Sequence, residues 1–233
     1  MEKTYKNIGY LFIAIWLMVL IGFHQTYTVF FPQFKNFRWE HHLHGATLMT
    51  WLLMLMVQPF LIKYGKYTWH RTLGKLGYVL APLAFLSMFS LVRMAYLRDT
   101  AHRPEPDVLA GLAISIPPML AFGLFASLAF LYQKQTFYHV RYITATSFPL
   151  IGPGLGRALI TYGGVPFPVA VSLVFSLATL IALVFLLLDL RNRKNPYPLL
   201  LIFGMLLLNL LCWQFQTSGW WLATAKTFAW AFF

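Results

Sequence analysis

The chain has 233 residues, 59% of them hydrophobic and 10% charged, against the roughly 25% charged that a soluble globular domain carries. Its formal net charge is +12, but the Lys and Arg lie in short gaps between long apolar runs rather than on one wettable face, which excludes a nucleic-acid surface. A single cysteine, Cys212, excludes an internal disulfide and any Cys-based zinc or iron–sulfur centre.

About 20 apolar residues are needed to cross about 30 Å of hydrocarbon. Runs of that length predict seven transmembrane helices, at 8–31, 43–62, 76–97, 108–132, 142–162, 165–190 and 197–215. The first run lacks a small-residue cleavage site and reads as a retained helix, not a signal peptide. It carries His24 late in its length and leads into Phe30, Phe31, Phe34, Phe37 and Trp39, the aromatic composition of an interfacial belt. The second opens with Glu40-His41-His42-Leu43-His44, and the third follows His70-Arg71 and carries Arg93 towards its far end. The fourth contains the small residues Gly111, Ala113, Gly123 and Ala126, a hint of a helix-packing face. The fifth is broken by Pro149, Gly152, Pro153, Gly154 and Gly156 ahead of Arg157, a pattern tolerated in a membrane where it lines a cavity or packs within protein. After the seventh comes a tail with Trp220, Trp221 and Lys226 that reads as an interfacial helix. The predicted fold class is all-α, a polytopic membrane helical bundle. Its transmembrane domain covers 1–215 and its aromatic interfacial tail 216–233.

Lys3, Lys6, Lys63, Lys66, Arg71, Lys75, Lys134, Arg141, Arg191, Arg193 and Lys194 fall on the N-terminal side of this arrangement. The other basic residues are diluted by Glu40, Asp99, Glu105 and Asp107. By the positive-inside rule the N-terminus is cytoplasmic.

Ionisable residues at membrane depth are expensive unless paired or facing a cavity, and these carry the functional expectation. His41 and His44, three apart, share one helix face, and His24 approaches them from the neighbouring helix; together they are the candidate metal ligands. Arg93 and Arg157 near the outer boundary are candidates to neutralise an anionic group such as a carboxylate or a haem propionate. His139, Tyr142, Thr146, Pro153 and Arg157 fall at near-helical steps and so on one face of the fifth helix. His70 and His139, at the inner ends of their helices, are candidates for a second cofactor. Zinc-protease, phosphate-loop, serine-hydrolase and retinal-protein patterns are absent.

His42-Leu43-His44, Trp51, Gln58, His70-Arg71-Thr72-Leu73-Gly74 and His139-Val140-Arg141 together resemble a group of uncharacterised bacterial multi-pass membrane proteins. Members open one helix with His-x-His, carry a Trp and a Gln inside it, turn into the next through His-Arg-x-x-Gly and start a later helix with His-x-Arg. The resemblance covers about residues 41–160 and implies a bacterial inner-membrane protein, without an activity. The paired-histidine spacing of four-helix dihaem cytochromes is not reproduced.

Three functions follow as expectations. The first is a protein binding haem or a transition metal for electron transfer or cofactor handling. The second is a transporter or binding protein for a small anionic or amphipathic solute. The third is an assembly subunit, whose partners are other membrane subunits as well as the lipid bilayer.

Overall fold

The computed structural model describes residues 7–35 and 37–233. Lys3 and Lys6, which contribute to the charge bias, lie outside the described residues. Among the described residues every regular element is a helix. In chain order they are α1 (Ile8–His24), α2 (Trp39–Lys63), α3 (Tyr67–Thr100), α4 (Glu105–Gly111), α5 (Ile116–Leu131), α6 (Thr136–Ala145), α7 (Phe148–Gly163), α8 (Phe167–Arg191), α9 (Tyr197–Gln214) and α10 (Gly219–Phe232). Five helical stretches are long and apolar enough to cross a membrane: α2, α3, the α4–α5 unit from Glu105 to Leu131, α8 and α9. The chain is thus an integral membrane protein by the length and composition of its helices.

The two other expected spans take a different form. α1 stops at His24 rather than continuing to residue 31, because the chain turns polar there and folds back on itself. The Thr28 hydroxyl donates to the His24 carbonyl at 3.1 Å, which satisfies an end group that helix extension would otherwise use. At 17 residues, α1 rises about 25 Å, short of a full hydrocarbon core. The expected fifth span is two helices, α6 and α7, interrupted at Thr146–Ser147. Pro149 sits in the first turn of α7, where a missing N–H costs nothing, and Trp51 Nε1 donates to Thr146 Oγ1 at 2.9 Å. Both residues are fully buried, so the break is pinned from α2. The residues of the predicted polar face, from His139 to Arg157, are thereby divided between α6, the break and α7.

α5 is the centre of the bundle. Ala121, Phe122, Phe125 and Ala129 are completely buried, and the helix packs against α3, α6, α7 and α9. Ala113 and Ala126 are buried, and Gly123 lies against the ring of Phe85. Of the four small residues noted in this region only Gly111 is exposed, so they serve packing within the chain. α1 and α7 approach closely at two glycines. A Cβ on Gly22 would lie 2.0 Å from the Gly154 carbonyl oxygen, and one on Gly154 2.9 Å from Val19 Cα. Gly154 therefore lets a neighbouring backbone in, whereas a Cβ on Gly156 would meet nothing within 4 Å.

The tail also has a defined place. Trp221, Ala225 and Ala229 of α10 are buried against α4 and α9 in a core with Leu109, Leu112 and Trp213. Trp221 Nε1 donates to the Leu109 carbonyl at 3.1 Å, and Phe232 and Phe233 meet Phe89 on α3.

Candidate functional site

The histidines proposed as one metal site are engaged separately. His24 is exposed, and its Nδ1 lies 3.0 Å from the Thr28 hydroxyl; that hydroxyl already donates to the His24 carbonyl, so Nδ1 is the donor. His41 serves the start of α2, its Nδ1 lying 3.2 Å from the Arg38 N and 3.3 Å from the Arg38 carbonyl oxygen, where it caps the helix. His44 reaches across to α3, where its Nδ1 lies 3.4 Å from Ser87 Oγ. Ser87 donates to the Ala84 carbonyl at 2.7 Å and lies 3.0 Å from Thr47 Oγ1. Among the described residues no three His, Cys, Asp or Glu side chains are grouped so as to hold a metal ion. His42 shares a hydrogen bond with the Tyr27 hydroxyl, inside a cluster of Phe34 and Phe37 rings.

Outside the membrane-spanning helices, burial pushes the Tyr27 phenol above its ordinary value. Arg38 is pushed up by Glu40 beside it, which accepts its Nη2–H at 2.8 Å.

Arg157 does approach His44: both its charge and that of His41 act on the His44 ring. Its guanidinium is stacked 4.3 Å from the centre of the Phe23 ring and donates to the Pro153 carbonyl at 3.1 Å, one turn back on α7. No carboxylate pairs with it among the described residues. Arg93 goes elsewhere. It is exposed and its Nη2 lies 3.4 Å from the Phe233 carbonyl oxygen, so it joins α3 to α10 and does not converge with Arg157.

At the other end, His70 and His139 lie near enough for their charges to interact. Both are inside helices, in the first turns of α3 and α6, and Gly74 is a residue of α3 and not of a turn. The Gln58 side chain bonds to His70 and Gly74, and His139 Nδ1 meets the Ala129 carbonyl at 2.8 Å. The residues that carry the resemblance to multi-pass proteins thus sit on joints between helices: Trp51 on the α6–α7 break, Gln58 on α3, His139 on α5, and Arg141 on α8.

Asp189, which sequence inspection passed over, is the partner of Arg141, at 2.7 Å with both side chains about nine-tenths buried. The signal was available: after Asp107 it is the one acidic residue in the sequence, and it closes an apolar span. Arg141 is also stacked 3.6 Å from the Phe137 ring centre.

No protein-family model, curated protein or solved structure matches the chain.

Proposed function

We propose that this chain is a seven-pass protein of a bacterial inner membrane, N-terminus cytoplasmic, that binds a small anionic or amphipathic solute at Arg157. α1 and the α6–α7 unit complete the seven passes in this reading. The observation that carries it is the state of the guanidinium. Arg157 is partly buried between α1 and α7, yet among the described residues only one of its five N–H donors has a protein acceptor, the Pro153 carbonyl. A charge held at membrane depth without a counter-ion is costly, and a carboxylate or phosphate oxygen accepting from the remaining donors offsets that cost through charge-assisted bonds. The Phe23 face fixes the guanidinium plane, which favours a forked, planar acceptor. The His44 ring lies near enough to feel the Arg157 charge.

Haem or metal binding at His24, His41 and His44 receives no support from this arrangement, because each ring is committed to its own local partner. An assembly role for the small residues of the α4–α5 unit is likewise unsupported, since three of the four pack inside the chain.

The test is thermal unfolding of detergent-purified protein with short-chain and long-chain carboxylates and with inorganic phosphate. A bound anion at a hundredfold excess over its Kd stabilises by about 2.7 kcal/mol, and at least one of these should raise the unfolding temperature of the wild type. Arg157→Gln should lose that rise, while Arg157→Lys retains part of it. A wild type indifferent to every anion, or an Arg157→Gln variant that responds as the wild type does, overturns the reading.

A further inference from the structure

At the end of the bundle opposite Arg157, two histidines are held in opposite hydrogen-bonding states. Residues 64–66 return the chain from α2 into α3, so Gln58 faces the first turns of α3. Its side-chain amide spans one turn of that helix. The oxygen accepts the Gly74 N–H at 3.0 Å, and the nitrogen donates to the His70 carbonyl at 3.2 Å and to His70 Nδ1. Two of these partners are backbone groups whose polarity is fixed, one donor and one acceptor, so the amide has one orientation and His70 Nδ1 faces a donor. A neutral imidazole that accepts at Nδ1 carries its hydrogen on Nε2.

His139 is set the other way. At the end of α5 the Tyr132 N–H bonds to the Leu128 carbonyl and the Gln133 N–H to that of Phe130, which leaves the Ala129 carbonyl without the donor four residues on. His139 Nδ1 fills that place at 2.8 Å. A carbonyl only accepts, so His139 Nδ1 carries the hydrogen and its Nε2 presents a lone pair. Both His70 and His139 are half-buried.

We propose that His139 Nε2 is a proton-accepting site at this end of the protein, and that Gln58 holds His70 neutral beside it. Proton uptake from water at His139 breaks no hydrogen bond, because the imidazolium keeps its Nδ1–H on the Ala129 carbonyl. Uptake at His70 puts a hydrogen on Nδ1 against the Gln58 N–H. Turning the amide to relieve that clash sets its oxygen against the His70 carbonyl and its nitrogen against the Gly74 N–H. The charged groups on the elements packed here are Arg71, beside His70 on α3, and Arg141 on α6, which is paired with Asp189 of α8. The phenols of Tyr132, Tyr138 and Tyr142 are gathered between α5 and α6.

The experiment is ¹⁵N NMR of the full-length, histidine-labelled protein in detergent from pH 8 to pH 5, with His70→Gln and His139→Gln used to assign the two rings. At pH 8 the expected wild-type spectrum has His139 protonated on Nδ1 and His70 on Nε2, and on acidification only His139 becomes imidazolium. Gln58→Leu, which removes the amide, should give His70 its own protonation step within the same range. The proposal is overturned if His70 becomes imidazolium in the wild type above pH 5, or if His139 carries its hydrogen on Nε2 at pH 8. The wild-type spectra decide both points, whether or not the Gln58 variant folds.

Discussion

Asp189 lies near the end of α8 with 9% of its side chain exposed, and the carboxylate is tolerable there because Arg141 donates to it through both Nε, at 3.1 Å, and Nη2, at 2.7 Å. Taking two charges out of water is costly, and the net worth of such a pair against two apolar side chains is small; breaking it by removing one partner costs about 3–5 kcal/mol. Asp189→Asn should therefore destabilise the detergent-solubilised protein strongly, while Arg141→Leu with Asp189→Leu should recover most of the loss. If the double variant unfolds as readily as the single one, the pair is contributing more than mutual neutralisation. At this scale the sequence was informative about which residues are special and poor about why. His41 and His44 stand at a metal-ligand spacing, but His41 Nδ1 is used to cap α2 and His44 reaches to Ser87. Spacing along a helix reports a shared face and says nothing about which local acceptor competes for a ring nitrogen.

Helices α1 and α7 show the same division. The Gly and Pro cluster of 149–156 was legible as a special segment, and its two consequences, a helix break and a close helix approach, are each allowed by that composition. Only the position of α1 distinguishes them. Where α1 crosses, Gly154 has the Val19 Cα at 2.9 Å from a would-be Cβ, while Gly156 has nothing within 4 Å. Backbone atoms cannot move aside as a flexible side chain can, so Gly154→Ala should force the helices apart at a cost of about 1–3 kcal/mol, the range for overpacking a fitted interface. Gly22→Ala, which would meet the Gly154 carbonyl oxygen at 2.0 Å, should cost more. Gly156→Ala is the control and should be tolerated. Unfolding temperatures of the three variants in one detergent give the order directly, and equal losses at 154 and 156 would mean that the helices do not meet as described.

For the whole molecule the open physical question is which helices complete a passage through the bilayer. Five stretches satisfy the length and hydropathy demanded of a span; α1 and the interrupted α6–α7 unit decide the parity. Each makes a separable prediction because crossing or not crossing switches the side of everything beyond it. Cys212 is buried, so a Cys212→Ser background leaves single exposed cysteines to report. Between Lys134 and Thr217 lie the α6–α7 unit, α8 and α9. Three passages put Lys134→Cys and Thr217→Cys on opposite faces, and a re-entrant α6–α7 unit puts them on the same face. Between Asn7 and Lys66 lie α1 and α2, so Asn7→Cys and Lys66→Cys share a face only if α1 crosses. With a membrane-impermeant maleimide on intact cells, the seven-pass arrangement with a cytoplasmic N-terminus predicts labelling at Thr217→Cys and at Ala101→Cys, and protection at positions 7, 66 and 134 until the membrane is opened. Protection at 217 together with 134 until the membrane is opened would make α6–α7 a re-entrant pair. Arg157 would then lie within a segment that enters and leaves by one face, and its anion would be bound from that face without a route across.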